Sequence, residues 1–243
     1  MRPLGVIGGT GLDSFEDLSD VRAETLVTPY GEASLQFGEL VGTPVVFVPR
    51  HGHAHSLAPH EINYRANIWA LKQSVESVVA VAAVGGIGED APPRSIVVPG
   101  QIVDYTWGRD HTYSEPGKVL HIDFTHPYDA MIRDHLLAAA AGEGIRVIDG
   151  GVYGATQGPR LETAAEIDRM DRDGCTIVGM TGMPEASLAR ELELPYACCA
   201  LVVNEAAGRG PEVIAMEDIL GHLQAGMGNV RQILRQLALN LGS

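Results

Sequence analysis

The chain has 243 residues, of which 45% are hydrophobic and 20% charged, a globular balance with enough apolar mass for a sizeable core. Seventeen basic residues against 31 acidic ones leave a formal charge of −14, which disfavours nucleic acids and anionic membranes as partners. Three cysteines cannot close a disulfide framework, no apolar run reaches membrane-spanning length, and the first residues lack a long apolar signal region, so a cytoplasmic protein is expected.

In chain order, residues 5–7 form a short apolar strand that enters the turn Gly8-Gly9-Thr10-Gly11. Residues 45–49 are β-branched and end at Arg50-His51, and 61–74 carry apolar residues at helical spacing. Residues 77–84 are almost uninterruptedly apolar and stop at Gly85-Gly86, as in a strand buried on both faces. Strands are predicted at 96–103 and 147–153, with a helix over 128–141 between them. The alternation then repeats: helix 161–170, strand 176–180, helix 183–192 starting near Pro184, strand 196–203 and a long helix 217–239. With no linker or repeat, these lengths predict one α/β domain over residues 1–243 around a central sheet.

Polar signals collect where strands end, at Thr10, Arg50-His51, Gly85-Gly86, Met180-Thr181 and Asn204, which points to one composite site. Gly8-Gly9-Thr10-Gly11 fits either a tight strand–loop turn or a phosphate nest to which Thr10 adds its hydroxyl. A dinucleotide fingerprint is incomplete, because Ser14 stands where its third glycine belongs. His51, His53 and His55 alternate, which suits zinc on one strand face or an exposed loop. No carboxylate or cysteine nearby has a recognised ligand spacing, and Arg50 beside them favours an anion, so no metal is expected. Near Gly158-Pro159-Arg160-Leu161-Glu162-Thr163, Pro159 either starts a helix whose dipole Glu162 complements, or Glu162 faces a ligand. Asn204 to Gly208 fits a plain turn or a ligand contact.

Together these segments resemble the trimeric purine nucleoside phosphorylase and methylthioadenosine phosphorylase family. The matching runs are Ile7 to Leu12, Pro49-Arg50-His51-Gly52, Asn63 to Leu71, Gly158-Pro159-Arg160, Glu162-Thr163, Met180-Thr181 with Met183-Pro184-Glu185, and Asn204 with Ala206-Ala207-Gly208. They follow the family's order over nearly the whole chain. The resemblance implies a single-domain phosphorylase-like fold, a central mixed sheet flanked by helices, assembled as a homotrimer with sites at subunit interfaces. It implies that Thr10, Arg50, His51 and Thr181 hold phosphate, that Met180 packs on the ribose, and that His55 lies near phosphate and sugar. Leu161 falls within the run that lines the base. Many members carry a phosphate-binding threonine where this chain has Ala82, so phosphate is expected to use the remaining groups and the amides near Ala83.

The base pocket implied by the resemblance discriminates by hydrogen-bond chemistry. An ionised Glu162 only accepts, which suits N1–H of a 6-oxopurine and repels N1 of adenine; Asn204 offers a donor for O6 and an acceptor for a proton on N7. Adenine-selective relatives carry aspartates where Asn204 and Ala206 stand. At the sugar's 5' end, binders of a 5'-hydroxyl offer histidine where this chain has Met216, followed by Ile219 and Leu220, an apolar wall suited to a methylthio group. His121 matches a residue lent to the neighbouring subunit's 5' pocket. The expected reaction is phosphorolysis of 5'-methylthioinosine, with His51, Glu162 and Asn204 as the catalytic set, inorganic phosphate as co-substrate and no cofactor. An inosine/guanosine or, less readily, a methylthioadenosine phosphorylase is the alternative.

Overall fold

The computed structural model describes residues 3–12, 14–210 and 213–242. Strand β1 (Leu4–Gly8) is buried throughout and lies parallel between β4 (Thr43–Pro49) and β5 (Ser77–Gly86). Before β4 come two long antiparallel strands, β2 (Ser19–Thr28) and β3 (Gly31–Leu40), which extend the sheet to one edge. No strand is predicted for these residues from the sequence. Their outward positions mix polar residues with exposed Val21 and Val27, and in β3 Ala33, Leu35 and Leu40 are buried in the core.

β5 organises the centre. On one side it pairs along its length with parallel β11 (Tyr196–Glu205); on the other, residues 77–80 pair with β1, and Gly85-Gly86 pair antiparallel with β10 (Ile177–Gly179). β1 and β10 therefore leave residues 81–84 without a strand neighbour on that side, and a cavity opens there. Two predicted strands are each split by a glycine-containing turn. Residues 96–103 become β6 (Ile96–Val98) and β7 (Gln101–Asp104), and 147–153 become β8 (Val147–Asp149) and β9 (Val152–Ala155). Gly150 and Gly151 both have positive φ, a backbone state that breaks a strand and that glycine adopts without strain. With β9 parallel to β10 and β7, and β6 joined to β11 and β8, the strands form one mixed sheet.

Helices cover both faces. α1 (Tyr64–Ser74) and α4 (Gly182–Glu191) pack with Val78, Ala80, Ala82 and Val84 on one face; α2 (Ala130–Gly142) and α5 (Met216–Gly242) pack with Val79 and Val81 on the other. This two-faced burial is why β5 reads as a continuous apolar run. Each fully buried valine there contributes about 1.5–3 kcal/mol. Asn63 caps α1 by accepting from the Ala66 amide, so that helix begins later than residue 61. α3 (Ala164–Arg172) likewise begins after residue 161: Thr163 and Glu166 form a capping box, and Pro159 lies in the loop before it. The dipole-facing carboxylate is thus Glu166, and Glu162 is left in the loop. Among the described residues, no helix is long and apolar enough to cross a membrane.

Candidate active site

The cavity at the open side of β5 holds about 490 Å³ and draws its walls from the ends of five strands. From β1 come Gly9 and Thr10; from β4, Arg50 and His51, followed by His55 in a short 3₁₀ turn (His53–His55). β5 supplies Ala83, β10 leads to Met180 and Thr181, and β11 supplies Asn204. The loop after β9 adds Leu161 and Glu162, while Met216 and Ile219 of α5 close one side. The predicted strand-end cluster is thus one site in space.

Two residues named from the sequence, Leu220 and the neighbour-directed His121, do not line it in the single chain. Leu220 is exposed and faces a separate groove with Gly11, Leu223 and Met227, because one step along the helix from Ile219 turns it away from the cavity. His121 is exposed on the irregular segment between β7 and α2 and does not line this cavity. The His51–His53–His55 series is no strand face: its last residues form the 3₁₀ turn, Ala54 and His55 have positive φ, and the His53 side chain lies outside the described residues. His51 and His55 stack with ring centroids 4.2 Å apart. His51 Nδ1 lies 2.9 Å from the Leu57 carbonyl oxygen, so Nδ1 carries a proton, since a carbonyl only accepts.

Arg50 is almost sealed from solvent. Its Nε donates to Glu185 Oε1 at 2.5 Å, its Nη2 to Glu185 Oε2 at 3.0 Å and its Nη1 to the Val81 carbonyl at 2.9 Å. Of five N–H groups, one on each terminal nitrogen remains for a ligand. Burial works against the guanidinium charge, but Glu185 outweighs it and holds Arg50 above its ordinary pKa. Tyr196 donates to Glu185 Oε2 at 2.8 Å, and burial followed by the Glu185 charge pushes that phenol well above its usual pKa, so it remains a donor. Gly9 makes this approach possible. A Cβ there would stand 2.7 Å from the Val81 carbonyl oxygen and 2.8 Å from Arg50 Nη1. The glycine turn thus admits the guanidinium to the cavity wall.

At the other end, the β11 register shifts between Val202 and Asn204, a bulge that re-aims the following side chain so that Val203 and Asn204 both reach the cavity. Asn204 Nδ2 donates to the Glu205 carbonyl at 2.7 Å, which fixes the amide orientation and leaves one N–H and Oδ1 for a ligand. Glu162 is half-buried and accepts from the Thr156 hydroxyl. Met180 Sδ packs against Gly158, where any Cβ would come within 2.5 Å of the sulfur.

Sequence reasoning passed over Arg109. Its buried guanidinium shares five N–H groups among six acceptors: the carbonyls of Thr156, Gln157, Met180 and Met183, Gln157 Oε1 and the Tyr64 hydroxyl, which in turn donates to Pro59. It ties the loop bearing Glu162 to the turn bearing Met180 and Thr181. No pattern around Gly108-Arg109-Asp110 signals this, because the partners are backbone carbonyls from distant loops. Glu185 was visible only as one residue of a matching run; its burial against Arg50 emerges once α4 is docked.

A family model described as the phosphorylase superfamily matches residues 3–238. A protein of Pseudomonas syringae pv. tomato, named probable S-methyl-5'-thioinosine phosphorylase, is 53% identical, the match covering 98% of each chain. A probable 6-oxopurine nucleoside phosphorylase of Moorella thermoacetica is 41% identical over 96% of this chain and 91% of its own. Among solved structures, a methylthioadenosine phosphorylase from Schistosoma mansoni in complex with adenine superposes with TM-score 0.94 at 32% identity, covering 100% of this chain and 92% of its own.

Proposed function

Because this chain belongs to the phosphorylase superfamily, we propose that it cleaves S-methyl-5'-thioinosine with inorganic phosphate, giving hypoxanthine and 5-methylthioribose 1-phosphate. The observation that carries this reading is the division of one cavity into three chemistries. Thr10, Arg50 and Thr181 supply donors for an oxyanion, beside His51, whose Nε2 accepts from a protonated phosphate oxygen; Glu162 and Asn204 supply a purine-reading pair; Met216 and Ile219 supply an apolar wall.

As the C1'–N9 bond loosens, positive charge grows on the sugar and negative charge on the base. Phosphate on the remaining Arg50 N–H groups, Thr10, Thr181, His51 and the amides near Ala83 is aligned to attack C1' and offsets the first charge. The proton that hydrogen phosphate loses on forming the ester passes through solvent to N7, where Asn204 Oδ1 accepts the new N7–H bond; its remaining N–H reaches O6 and Glu162 accepts N1–H, so the leaving base departs as neutral hypoxanthine. Met180 and His55 border the ribose and Leu161 the base. The reaction uses phosphate as co-substrate and proceeds without a covalent enzyme intermediate, metal or organic cofactor.

The proposal includes a single phosphorylase domain over the chain, cytoplasmic location and a homotrimer. Buried free Cys175, Cys198 and Cys199 support a reducing compartment. Exposed Trp107, Val119 and Leu120, on the segment that carries His121, support an assembly in which this segment meets a neighbour. The test is product analysis: methylthioinosine should yield hypoxanthine and a sugar 1-phosphate with phosphate present and no hypoxanthine without it. Equal release in phosphate-free buffer, or activity restored only by added zinc after chelation, would refute the proposal.

A further inference from the structure

We infer that Thr156 is a specificity-determining positioning residue, acting through Glu162; this rests on the reading of Glu162 as the group that meets the base. Thr156 is buried, and its hydroxyl lies 2.7 Å from Glu162 Oε1 and 3.3 Å from the Gly179 carbonyl oxygen. One hydroxyl proton serves one acceptor well. The Gly179 carbonyl already receives the Thr156 backbone N–H at 2.8 Å, whereas Glu162 offers a shorter contact to a carboxylate. The proton therefore goes to Glu162.

The location matters as much as the bond. Thr156 does not line the nucleoside cavity; it borders a second recess of about 240 Å³, with Tyr105, Trp107 and Gln157, on the far side of the loop. Glu162 lines both spaces. Thr156 therefore grips the carboxylate from behind, occupying Oε1 and leaving Oε2 for the base. The oxygen left free is an acceptor, which complements N1–H and clashes with a lone pair. The clamp is anchored too: Arg109 holds the Thr156 and Gln157 carbonyls, and Thr156 N–H binds Gly179, immediately before Met180-Thr181.

The experiment compares wild type with Thr156→Val, Thr156→Ser and Glu162→Gln, measuring kcat and KM for methylthioinosine, methylthioadenosine and phosphate. Valine preserves shape and the Thr156 backbone bond but removes the hydroxyl proton. The inference expects Thr156→Val to lower kcat/KM for methylthioinosine about tenfold. It also expects a shrunken preference for methylthioinosine over methylthioadenosine, an unchanged KM for phosphate, and recovery of most of both losses in Thr156→Ser. If Glu162→Gln shifts the base preference and Thr156→Val does not, the positioning role is wrong while the base-reading role stands. Failure of serine to recover the preference also overturns it. If Glu162→Gln leaves the preference at its wild-type value, the base-reading role itself falls, and the inference with it.

Discussion

Arg50 and Glu185 meet through two parallel hydrogen bonds, Nε to Oε1 at 2.5 Å and Nη2 to Oε2 at 3.0 Å, with side-chain exposures of 1% and 2%. The pair is formally neutral, so in the proposed reaction Arg50 would meet phosphate as a fixed array of donors more than as a net charge. This fits an enzyme of net charge −14 that must still bind an anion locally. Orientation in a water-poor wall, with no reorganisation at the moment of attack, is what such a pair contributes to catalysis.

Glu185→Ala should therefore strip a buried cation of its partner, at a cost of about 3–5 kcal/mol of stability. Thermal unfolding should show a large loss for Glu185→Ala and a smaller one for Glu185→Gln, with added phosphate recovering more stability in Glu185→Gln than in wild type. An unchanged melting temperature in Glu185→Gln would contradict the coupling.

Arg109→Lys keeps the charge but replaces a planar fork by a single ammonium, which cannot reach both loops at once. Its kcat/KM for the nucleoside should fall at least tenfold. The KM for phosphate should rise with it, since Thr181 follows one of the tethered carbonyls. Steady-state kinetics with each substrate varied decides this, and wild-type values for both would remove Arg109 from the account.

Acid should loosen the base end first through α3. Hydrogen bonding from Arg160, then from the Thr163 amide, holds the Glu166 carboxyl down to about 2, against an ordinary value of 4.5. Because the folded-state value is depressed, the stabilisation is complete above the unfolded value and is lost as pH falls from about 4.5 towards 2. The difference in stability between wild type and Glu166→Gln should therefore be constant at neutral pH and shrink across that acid window. Unfolding midpoints measured as a function of pH check the sign, and a gap that widens on acidification contradicts it.

Much of this was legible in the sequence where burial is two-sided or where the chemistry sits at strand ends. β5 and β11 declare themselves as apolar runs because helices cover both faces, and Thr10, Arg50, Thr181 and Asn204 follow directly from strand termini. β2 and β3 escaped because their apolar residues do not alternate cleanly: Val21 and Val27 are exposed while Glu24 is partly buried. Thr163 and Glu166 carried a readable capping box, but Pro159 drew the helix start too early. Arg109, Thr156 and Glu185 were not legible as site residues, since each acts through partners that only the folded chain brings near. Helical phase separates Leu220 from Ile219: Ile219 lines the cavity and Leu220 lines a neighbouring groove.

At the proposed 5' end of the cavity, Met216 is 63% exposed in the single chain, yet it lines the cavity beside Ile219. Burying an unpaired 5'-hydroxyl against this wall costs roughly 1–3 kcal/mol. That corresponds to about a fivefold to hundredfold preference for methylthioinosine over inosine. Met216→His should raise kcat/KM for inosine and lower it for methylthioinosine. A wild-type preference for inosine that the substitution leaves unmoved would return the enzyme to the inosine/guanosine reading.

The proposed selection of a 6-oxopurine by Glu162 and Asn204 is tested most directly by the ratio of kcat/KM for methylthioinosine to that for methylthioadenosine, measured at saturating phosphate. Mismatched buried polar groups in a hydrogen-bonding site discriminate strongly, so the ratio should exceed about 100. Asn204→Asp, which loses the donor to O6 and to the Glu205 carbonyl, should reduce it. A wild-type ratio of one or below would contradict the account.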